Sequence, residues 1–152
     1  MTSPSQRLAK LGITLPDVAP PVAAYVPASR VGDQVWTSGQ LPFVDGALLA
    51  TGRVGAEVSA EDAKAAARVA GLNAIAAAAA VAGGVDMISR VLKAVVFVAS
   101  DPSFTGQPQV ANGASELLQE VFGDAGVHVR SAVGVACLPL GACVEVELTV
   151  AL

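Results

Sequence analysis

The feature that most restricts the fold is a long alanine-rich segment. Twelve of the twenty residues from Ala63 to Ala82 are alanine, the residue with the highest helix propensity. Ser59 can cap this helix, Asp62 stands at the capping-box spacing, and Gly83-Gly84 can end it. Because alanine side chains are small, the helix can lie close to a sheet. The segment therefore predicts a long helix packed against a sheet.

The composition indicates a chain that buries part of its surface in an oligomer. The chain has 152 residues, the size of one ordinary domain, and 53% of them are hydrophobic. Charged residues make up 14%, against about 25% in typical globular domains. A monomer with so few charges would expose a largely apolar surface. We expect one domain, with a helix or arm over residues 1–17 and the main body over residues 18–152.

Charge and residue counts argue against several classes of function. Nine basic and thirteen acidic residues give a net charge of −4 and a pI near 4.8, which repels nucleic acid. One histidine and two cysteines cannot build a zinc site unaided. Met1–Lys10 lacks the apolar run of a secretory signal, and Val69–Val85 is shorter than the roughly 20 residues of a membrane span. We expect a cytoplasmic protein with no membrane, nucleic-acid or metal partner.

The first part of the chain predicts a short helix followed by a small antiparallel meander. The helix is expected over Ser5–Leu11. Strands are expected over Ala23–Pro27 and Gln34–Ser38, on either side of a tight turn at Gly32-Asp33. Asp45-Gly46 lies between apolar residues and predicts a second hairpin turn.

The second part predicts further strands separated by a helix. Val91–Val98 is nearly continuously apolar, which favours a strand that is buried on both faces and reached by a helical crossover. A helix is expected over Pro108–Phe122. Val127–Cys137 and Ala142–Ala151 alternate in polarity and predict a hairpin whose turn is centred on Pro139-Leu140.

The predicted hairpin determines which side chains share a face. It would place Arg130 opposite Thr149 and put Arg130, Glu145 and Glu147 on one face of the sheet. The two long helices would cover the other face, which is apolar. The face that carries these three side chains has few charges and many small residues, and we expect it to be a subunit interface. The order β-β-β-α-β-α-β-β, with two helices on one face of a mixed sheet, is a chorismate-mutase-like α+β arrangement, which is the predicted fold class.

Three segments carry a recognisable signature. Residues 36–42 read WTSGQLP and residues 95–98 read VVFV. Residues 130–139 read RSAVGVACLP and are followed by VEVE at residues 144–147. Together they resemble the motifs of the YjgF/RidA family, the reactive intermediate imine deaminases formerly labelled endoribonuclease L-PSP. The resemblance covers about residues 18–152, and the additional N-terminal helix indicates a divergent subgroup.

The resemblance implies both an assembly and an activity. Members are homotrimers with helices outside, sheets inside and clefts between subunits. They hydrolyse 2-imino or 2-enamino acids, which pyridoxal-phosphate enzymes release, to 2-keto acids and ammonia, and they use no cofactor. Two other functions stay open: a module that binds a small carboxylate metabolite without reaction, and the ribonuclease of the older label. The acidic pI, the single histidine and the lack of a basic groove oppose the ribonuclease.

Arg130 and Glu145 are the candidate catalytic residues. The resemblance implies that Arg130 binds the substrate carboxylate, a task suited to a guanidinium fork. The alternative is a cross-strand ion pair with Glu145 or Glu147. The resemblance also implies that Glu145 orients or activates the hydrolytic water, and the alternative is a solvated or paired charge at a strand end. Glu147 is expected to pair with a basic residue of a neighbouring strand.

Four further residues become candidates for substrate binding through the same resemblance. Tyr25 would line the cleft, or be a half-buried tyrosine of an edge strand. Ser38 and Gly39 end a strand where backbone N–H groups could hold a carboxylate, although a turn would explain them equally. Asn112 lies in the region where family members place a cleft asparagine, and the alternative is a helix cap or a solvent-facing side chain.

Some positions depart from the family pattern. Ala132 stands where many members carry a cysteine, so any role of a thiol there is lost. Gly134 replaces an acidic or polar residue, which would widen the cleft or alter the substrate preference. Cys137 and Cys143 are interpreted as small buried hydrophobic residues. His128, the single histidine, would share the strand face of Arg130 and either touch the cleft or lie at a surface or interface.

Overall fold

The computed structural model describes residues 2–21 and 23–152, and its centre is a five-stranded mixed sheet with helices on one face. The elements in chain order are α1 (Pro4–Lys10), β1 (Ala28–Val31), β2 (Gln34–Thr37), β3 (Phe43–Val44), β4 (Ala47–Leu48), α2 (Ala60–Ala82), β5 (Arg90–Ala99), α3 (Gln107–Phe122), β6 (Val129–Val135) and β7 (Val144–Ala151). The sheet has the order β1-β2-β7-β5-β6, and β3 and β4 form a separate ribbon. β5 and β6 are parallel, and the other neighbouring pairs are antiparallel. This is the mixed α+β sheet that the sequence predicts.

The alanine-rich helix α2 lies in the core, as predicted. The Ser59 hydroxyl accepts a hydrogen bond from the Asp62 N–H at 3.1 Å, and Gly83 ends the helix in the left-handed region at φ 92°. By length and composition α2 could cross a membrane, but 67% of its most apolar window is buried inside the protein. Burial against α3 and the sheet explains this composition.

α3 approaches α2 so closely that a side chain is excluded at the contact. A Cβ on Gly113 would lie 2.0 Å from the backbone oxygen of Lys64. Glycine alone permits this separation. The apolar stripe of α3 is fully buried, as predicted, and comprises Val110, Ala114, Leu117, Leu118 and Val121. Leu8 of α1 is buried in the same core.

The first strand begins later than predicted. β1 covers Ala28–Val31, whereas residues 23–27 form bends and an irregular connection. The reason is the turn at Gly32-Asp33, which pairs Val31 directly with Gln34. A two-residue hairpin turn requires its strands to follow it immediately on both sides. The prediction of a strand over Ala23–Pro27 was therefore wrong.

The last two strands do not form the predicted hairpin. β7 lies between β2 and β5, and β6 pairs with the other edge of β5. Residues 136–143 carry the chain past β5 and include a short 3-10 turn at Pro139–Gly141. In the observed order β7 and β6 pair with the two edges of β5, so the backbone N–H and C=O groups of this buried strand have partners on both sides.

This strand order separates the charged side chains that were expected to share a face. Arg130 is in register with Ala94, which is fully buried beneath the helices. Glu145 is in register with Phe97, and Glu147 with Val95, on the opposite face of β5. Partners in register point to the same side of a sheet. Arg130 therefore lies on the helix-covered face, and Thr149 is not its neighbour.

The face of the sheet without helices is partly apolar and open to solvent in the single chain. β5 buries Val91, Ala94, Val96 and Val98 against the helices, whereas Val95 and Phe97 on its other face are only partly covered. Trp36 is 55% exposed and Val129 is 66% exposed on this open face. Burial of β5 on both faces is therefore not achieved within one chain.

Candidate functional site

The guanidinium of Arg130 is held against α3 by three oxygen atoms. Nη1 donates to Asn112 Oδ1 at 2.8 Å and to Ser115 Oγ at 3.1 Å, and Nη2 donates to the Pro108 carbonyl at 3.4 Å. The side chain of Arg130 is half-buried between its strand and the helix. We call Arg130, Asn112, Ser115 and Pro108 the arginine cluster.

The charge of Arg130 is not neutralised by these contacts. All three acceptors are neutral, and within residues 2–21 and 23–152 the ion pairs are Lys64–Glu116 and Arg68–Glu120. A guanidinium has five N–H donors, and the Nε–H of Arg130 has no partner among the described residues. The suggested ion pair of Arg130 with Glu145 or Glu147 is therefore wrong. A half-buried cation with unused donors is suited to bind an anion.

Helix periodicity brings the acceptors together. Positions 108, 112 and 115 are separated by four and three residues, so they lie on one face of α3. Asn112 is in the middle of the helix and accepts from Arg130, so it is neither a cap nor a purely solvent-facing residue. Sequence reasoning missed Ser115. Its signal was a polar residue between two members of the apolar stripe, where it is only 8% exposed.

A second group of candidate residues lines a cavity at the other side of the sheet. Tyr25, Gly39, Gln40, Glu145 and Pro139 lie at this cavity, together with the arm around residue 20. Tyr25 comes from the bent segment before β1, and Gly39 and Gln40 follow the end of β2. We call Tyr25, Gly39, Gln40 and Glu145 the glutamate cluster.

Gly39 is required by its closeness to Glu145. A Cβ on Gly39 would lie 2.5 Å from Cδ and 2.8 Å from Oε2 of the Glu145 side chain. Such distances are not possible without displacing the carboxylate. The glycine of the TSGQ motif therefore makes room for the acid of the last strand, which the sequence alone did not indicate.

The Glu145 carboxyl is in an environment that favours its neutral form. Burial raises the pKa of Glu145, and the negative charge of Glu147 raises this pKa further. Glu147 forms no ion pair within the described part of the chain, since its neighbour in register is Val95, so the predicted pairing is absent here. A carboxyl group with a raised pKa binds a proton more readily, so it can take up a proton and return it during a reaction.

Ser38 has a structural contact for its hydroxyl group. Its O–H donates to the Val26 carbonyl at 2.6 Å, and its N–H donates to the Pro27 carbonyl at 2.8 Å. The N–H of Gln40 is likewise used, by the Val146 carbonyl at 2.8 Å. Ser38 thus fixes the segment next to Tyr25, and the N–H of Gly39 has no hydrogen-bond partner among the described residues.

The remaining candidate positions are the two cysteines and Gly134. Cys143 is buried, and burial raises the pKa of its thiol, whereas Cys137 is exposed, contrary to the prediction. Gly134 lies close to the Gln107 amide and the Ser100 hydroxyl, since a Cβ there would be 2.8 Å from Nε2. Among residues 2–21 and 23–152 there is no group of three acidic, cysteine or histidine residues that could hold a metal ion.

The two clusters lie on opposite faces of one sheet. Register places Arg130 with the helices and Glu145 on the open face, so one chain does not bring the two together.

The sequence profile of the YjgF/chorismate-mutase-like family, described as candidate endoribonucleases, matches residues 5–152. The chain belongs to the YjgF family. The resemblance of the three sequence motifs is thereby confirmed.

Several known proteins are similar to this chain over most of its length. Protein TCP17 of Trypanosoma cruzi is 47% identical over 146 residues, which are 95% of this chain and 91% of that protein. A candidate endoribonuclease from Shewanella oneidensis is 37% identical and superimposes with a TM-score of 0.95, covering 99% of both chains. E. coli TdcF, solved with bound serine, is 25% identical with a TM-score of 0.62 and covers 87% of this chain and 91% of that one. The fold is therefore the chorismate-mutase-like fold of this family.

Proposed function

We propose that the protein hydrolyses reactive 2-imino or 2-enamino acids to 2-keto acids and ammonia in clefts between the subunits of a homotrimer. The observation that carries the proposal is the guanidinium of Arg130, which is half-buried, bound by neutral oxygen atoms and left with unused N–H donors. A small carboxylate supplies the charge and the paired oxygen atoms that this group lacks.

A second copy of the chain would complete the site. Arg130 and Glu145 occupy different faces, so the arginine cluster of one copy would meet the glutamate cluster of the next. Contacts between two different surfaces repeat around a ring and can close with three copies. The exposed Trp36, Val129 and Val133 on the open face support such an assembly, because they would be covered inside it.

Hydrolysis of an imine requires the protein to position the substrate and to supply one group that carries a proton. Arg130 binds the substrate carboxylate and so orients the neighbouring C=N group. Glu145, in its ionised form, takes a proton from water while the water oxygen bonds to the imine carbon and the π electrons move to nitrogen. Glu145 returns that proton to nitrogen, which gives the neutral carbinolamine. The carboxylate then takes the proton of the carbinolamine hydroxyl and passes it to the amino group, so that the C–N bond breaks with its electron pair on nitrogen, the C=O bond forms and ammonia leaves.

The remaining residues of the glutamate cluster border this reaction. Tyr25 and Gly39 line the same cavity as Glu145, and under this proposal they contact the substrate or the water. Serine bound to TdcF is a small amino acid with a carboxylate and an α-nitrogen. A family member that holds such a ligand supports an imino acid of similar size as the substrate class.

The experiment generates 2-aminoacrylate with a serine or cysteine lyase and traps it with semicarbazide. Wild-type protein is expected to suppress the semicarbazone signal, and Arg130→Ala is expected not to. Arg68→Ala is the matched control, because Arg68 is a partly exposed arginine of α2 whose charge is paired with Glu120. If wild-type protein left the signal unchanged for small and bulky imines alike, the proposed activity would be rejected.

A non-catalytic binding module is the second candidate. Ala132 and Gly134 leave the strand next to Arg130 without the side chains that other members carry, so binding without turnover is the specific alternative. It predicts that 2-keto acids raise the Tm while imine turnover stays at the uncatalysed rate. Ribonuclease activity ranks third, and RNA cleavage would support it only if it persisted through further purification and in Arg130→Ala.

A further inference from the structure

The single histidine of the chain lies beside the arginine cluster and has two defined contacts. His128 directly precedes β6, with Nδ1 at 2.6 Å from the Gly126 carbonyl and Nε2 at 2.9 Å from Ser115 Oγ. A carbonyl oxygen only accepts, so Nδ1 carries the hydrogen atom. In neutral imidazole Nε2 is then an acceptor, and the Ser115 hydroxyl must donate to it.

These contacts form a continuous series of hydrogen bonds that runs from Gly126 to Arg130. The Nδ1–H of His128 donates to Gly126, the Ser115 O–H donates to His128, and Ser115 Oγ accepts from Arg130 Nη1 at 3.1 Å. His128 thereby fixes the direction of the serine hydroxyl and leaves its lone pair for the guanidinium. Without His128 the hydroxyl can rotate and bond to a carbonyl of its own helix.

Close packing fixes the Gly126 end of this series of hydrogen bonds. A Cβ on Gly126 would lie 2.2 Å from the Leu118 carbonyl oxygen, so the turn before His128 is pressed against α3. An arginine side chain can adopt many rotamers, and none of the described carboxylates anchors Arg130. A hydroxyl held on a rigid turn therefore limits the orientations that Arg130 can adopt.

We propose that His128 is a positioning residue, which holds Arg130 in the carboxylate-binding orientation through the hydroxyl of Ser115. The proposal rests on the proposed function and adds the requirement that Arg130 is held in one orientation. Neither the composition nor the sequence pattern indicated it, because Ser115 lies in the apolar stripe of α3 and His128 lies just outside the strand.

Two variants separate the positioning role from a structural one. His128→Asn keeps a donor at the δ position for Gly126 and loses the contact with Ser115. His128→Gln keeps an acceptor at the ε position for Ser115 and loses the contact with Gly126. Ser115→Ala removes the link itself and leaves the Asn112 and Pro108 contacts of Arg130 in place.

The readouts are the Kd of pyruvate by calorimetry, and KM and kcat from the coupled imine assay. His128→Asn and Ser115→Ala are each expected to raise Kd and KM about tenfold, the effect of one lost hydrogen bond, with kcat within about twofold. His128→Gln is expected to stay within about threefold of wild type. Adding His128→Asn to Ser115→Ala is expected to have no further effect, because both act on one path.

Each contrary outcome is distinct. If His128→Asn matched wild type while His128→Gln lost affinity or Tm, the histidine would support the Gly126 turn only, and the positioning role would be wrong. If all three variants bound pyruvate like wild type, Ser115 would not position Arg130. If wild type itself neither bound pyruvate nor acted on any imine, the proposed function would fail, and the positioning role with it.

Discussion

The arginine cluster and the glutamate cluster differ in the electrostatic environment of their charged side chains. Arg130 carries a charge that neutral oxygen atoms contact, and among the described residues it has no carboxylate partner. Glu145 has a carboxyl whose pKa is raised by burial and by Glu147, and in the same part of the chain it forms no ion pair. Within one chain the sheet separates the two clusters. Under the proposed function, the arginine cluster binds the substrate, the glutamate cluster moves protons, and a second copy brings the two together.

The largest effect is expected from removing the guanidinium. Arg130→Ala should raise the Kd of pyruvate more than about 100-fold, because two charge-assisted hydrogen bonds of about 1.5 kcal/mol or more are lost. Arg68→Ala, the control whose charge is paired with Glu120, should leave the Kd of pyruvate unchanged. Calorimetry with both variants checks this, and binding that survives in Arg130→Ala would locate the carboxylate site elsewhere.

A comparable effect on turnover, but not on binding, is expected at the other cluster. Glu145→Gln should lower kcat about 100-fold through the loss of the proton carrier and leave the Kd of pyruvate within about twofold. A parallel loss of binding and turnover in this variant would show that the division of labour between the clusters is wrong.

The same substitution should stabilise the protein in a pH-dependent way. The raised pKa of Glu145 means that its charged form is disfavoured on folding, so wild type loses stability as the pH rises above the ordinary value of 4.5. The Tm of Glu145→Gln should therefore exceed that of wild type at pH 8, and the difference should vanish at pH 4. Thermal unfolding at the two pH values measures it, and an equal difference at both would contradict the assigned pKa direction.

A smaller effect is expected from filling the space next to the carboxylate. Gly39→Ala places a methyl group 2.5 Å from Glu145 Cδ, so the carboxylate must move aside. We expect kcat to fall about tenfold, which is the cost of an imprecisely placed proton carrier. The Kd of pyruvate should change little, and an unchanged kcat would show that the observed position of Glu145 is not the active one.

Local patterns allowed much of the fold to be predicted. The alanine-rich helix, its Ser59 cap, the Gly83 end and the Asp45-Gly46 turn depend on interactions within a few residues, and the structure contains all of them. Strand alternation correctly identified the buried side of β7. Alternation cannot identify the neighbouring strand, since that depends on pairing between distant segments. The predicted β6–β7 hairpin was wrong for this reason.

The resemblance selected candidate residues, and their roles stay predictions, but it did not indicate how the structure arranges them. Motif resemblance selected Arg130, Glu145, Tyr25, Gly39 and Asn112, and the structure groups them into two clusters rather than one. The contact of Gly39 with Glu145 and the roles of Ser115 and His128 arise from tertiary packing. Ser115 was hidden because its position in the helix repeat is that of a buried apolar residue.

The most direct test of a site divided between copies is complementation between two inactive variants. Arg130→Ala supplies only an intact glutamate cluster, and Glu145→Gln supplies only an intact arginine cluster. Unfolding the two together in equal amounts and refolding them should pair intact clusters at about one quarter of the interfaces of a ring, with about a quarter of wild-type activity. Each variant refolded alone should stay inactive. A mixture that also stays inactive, although mass measurement shows mixed oligomers, would contradict a site built from two copies.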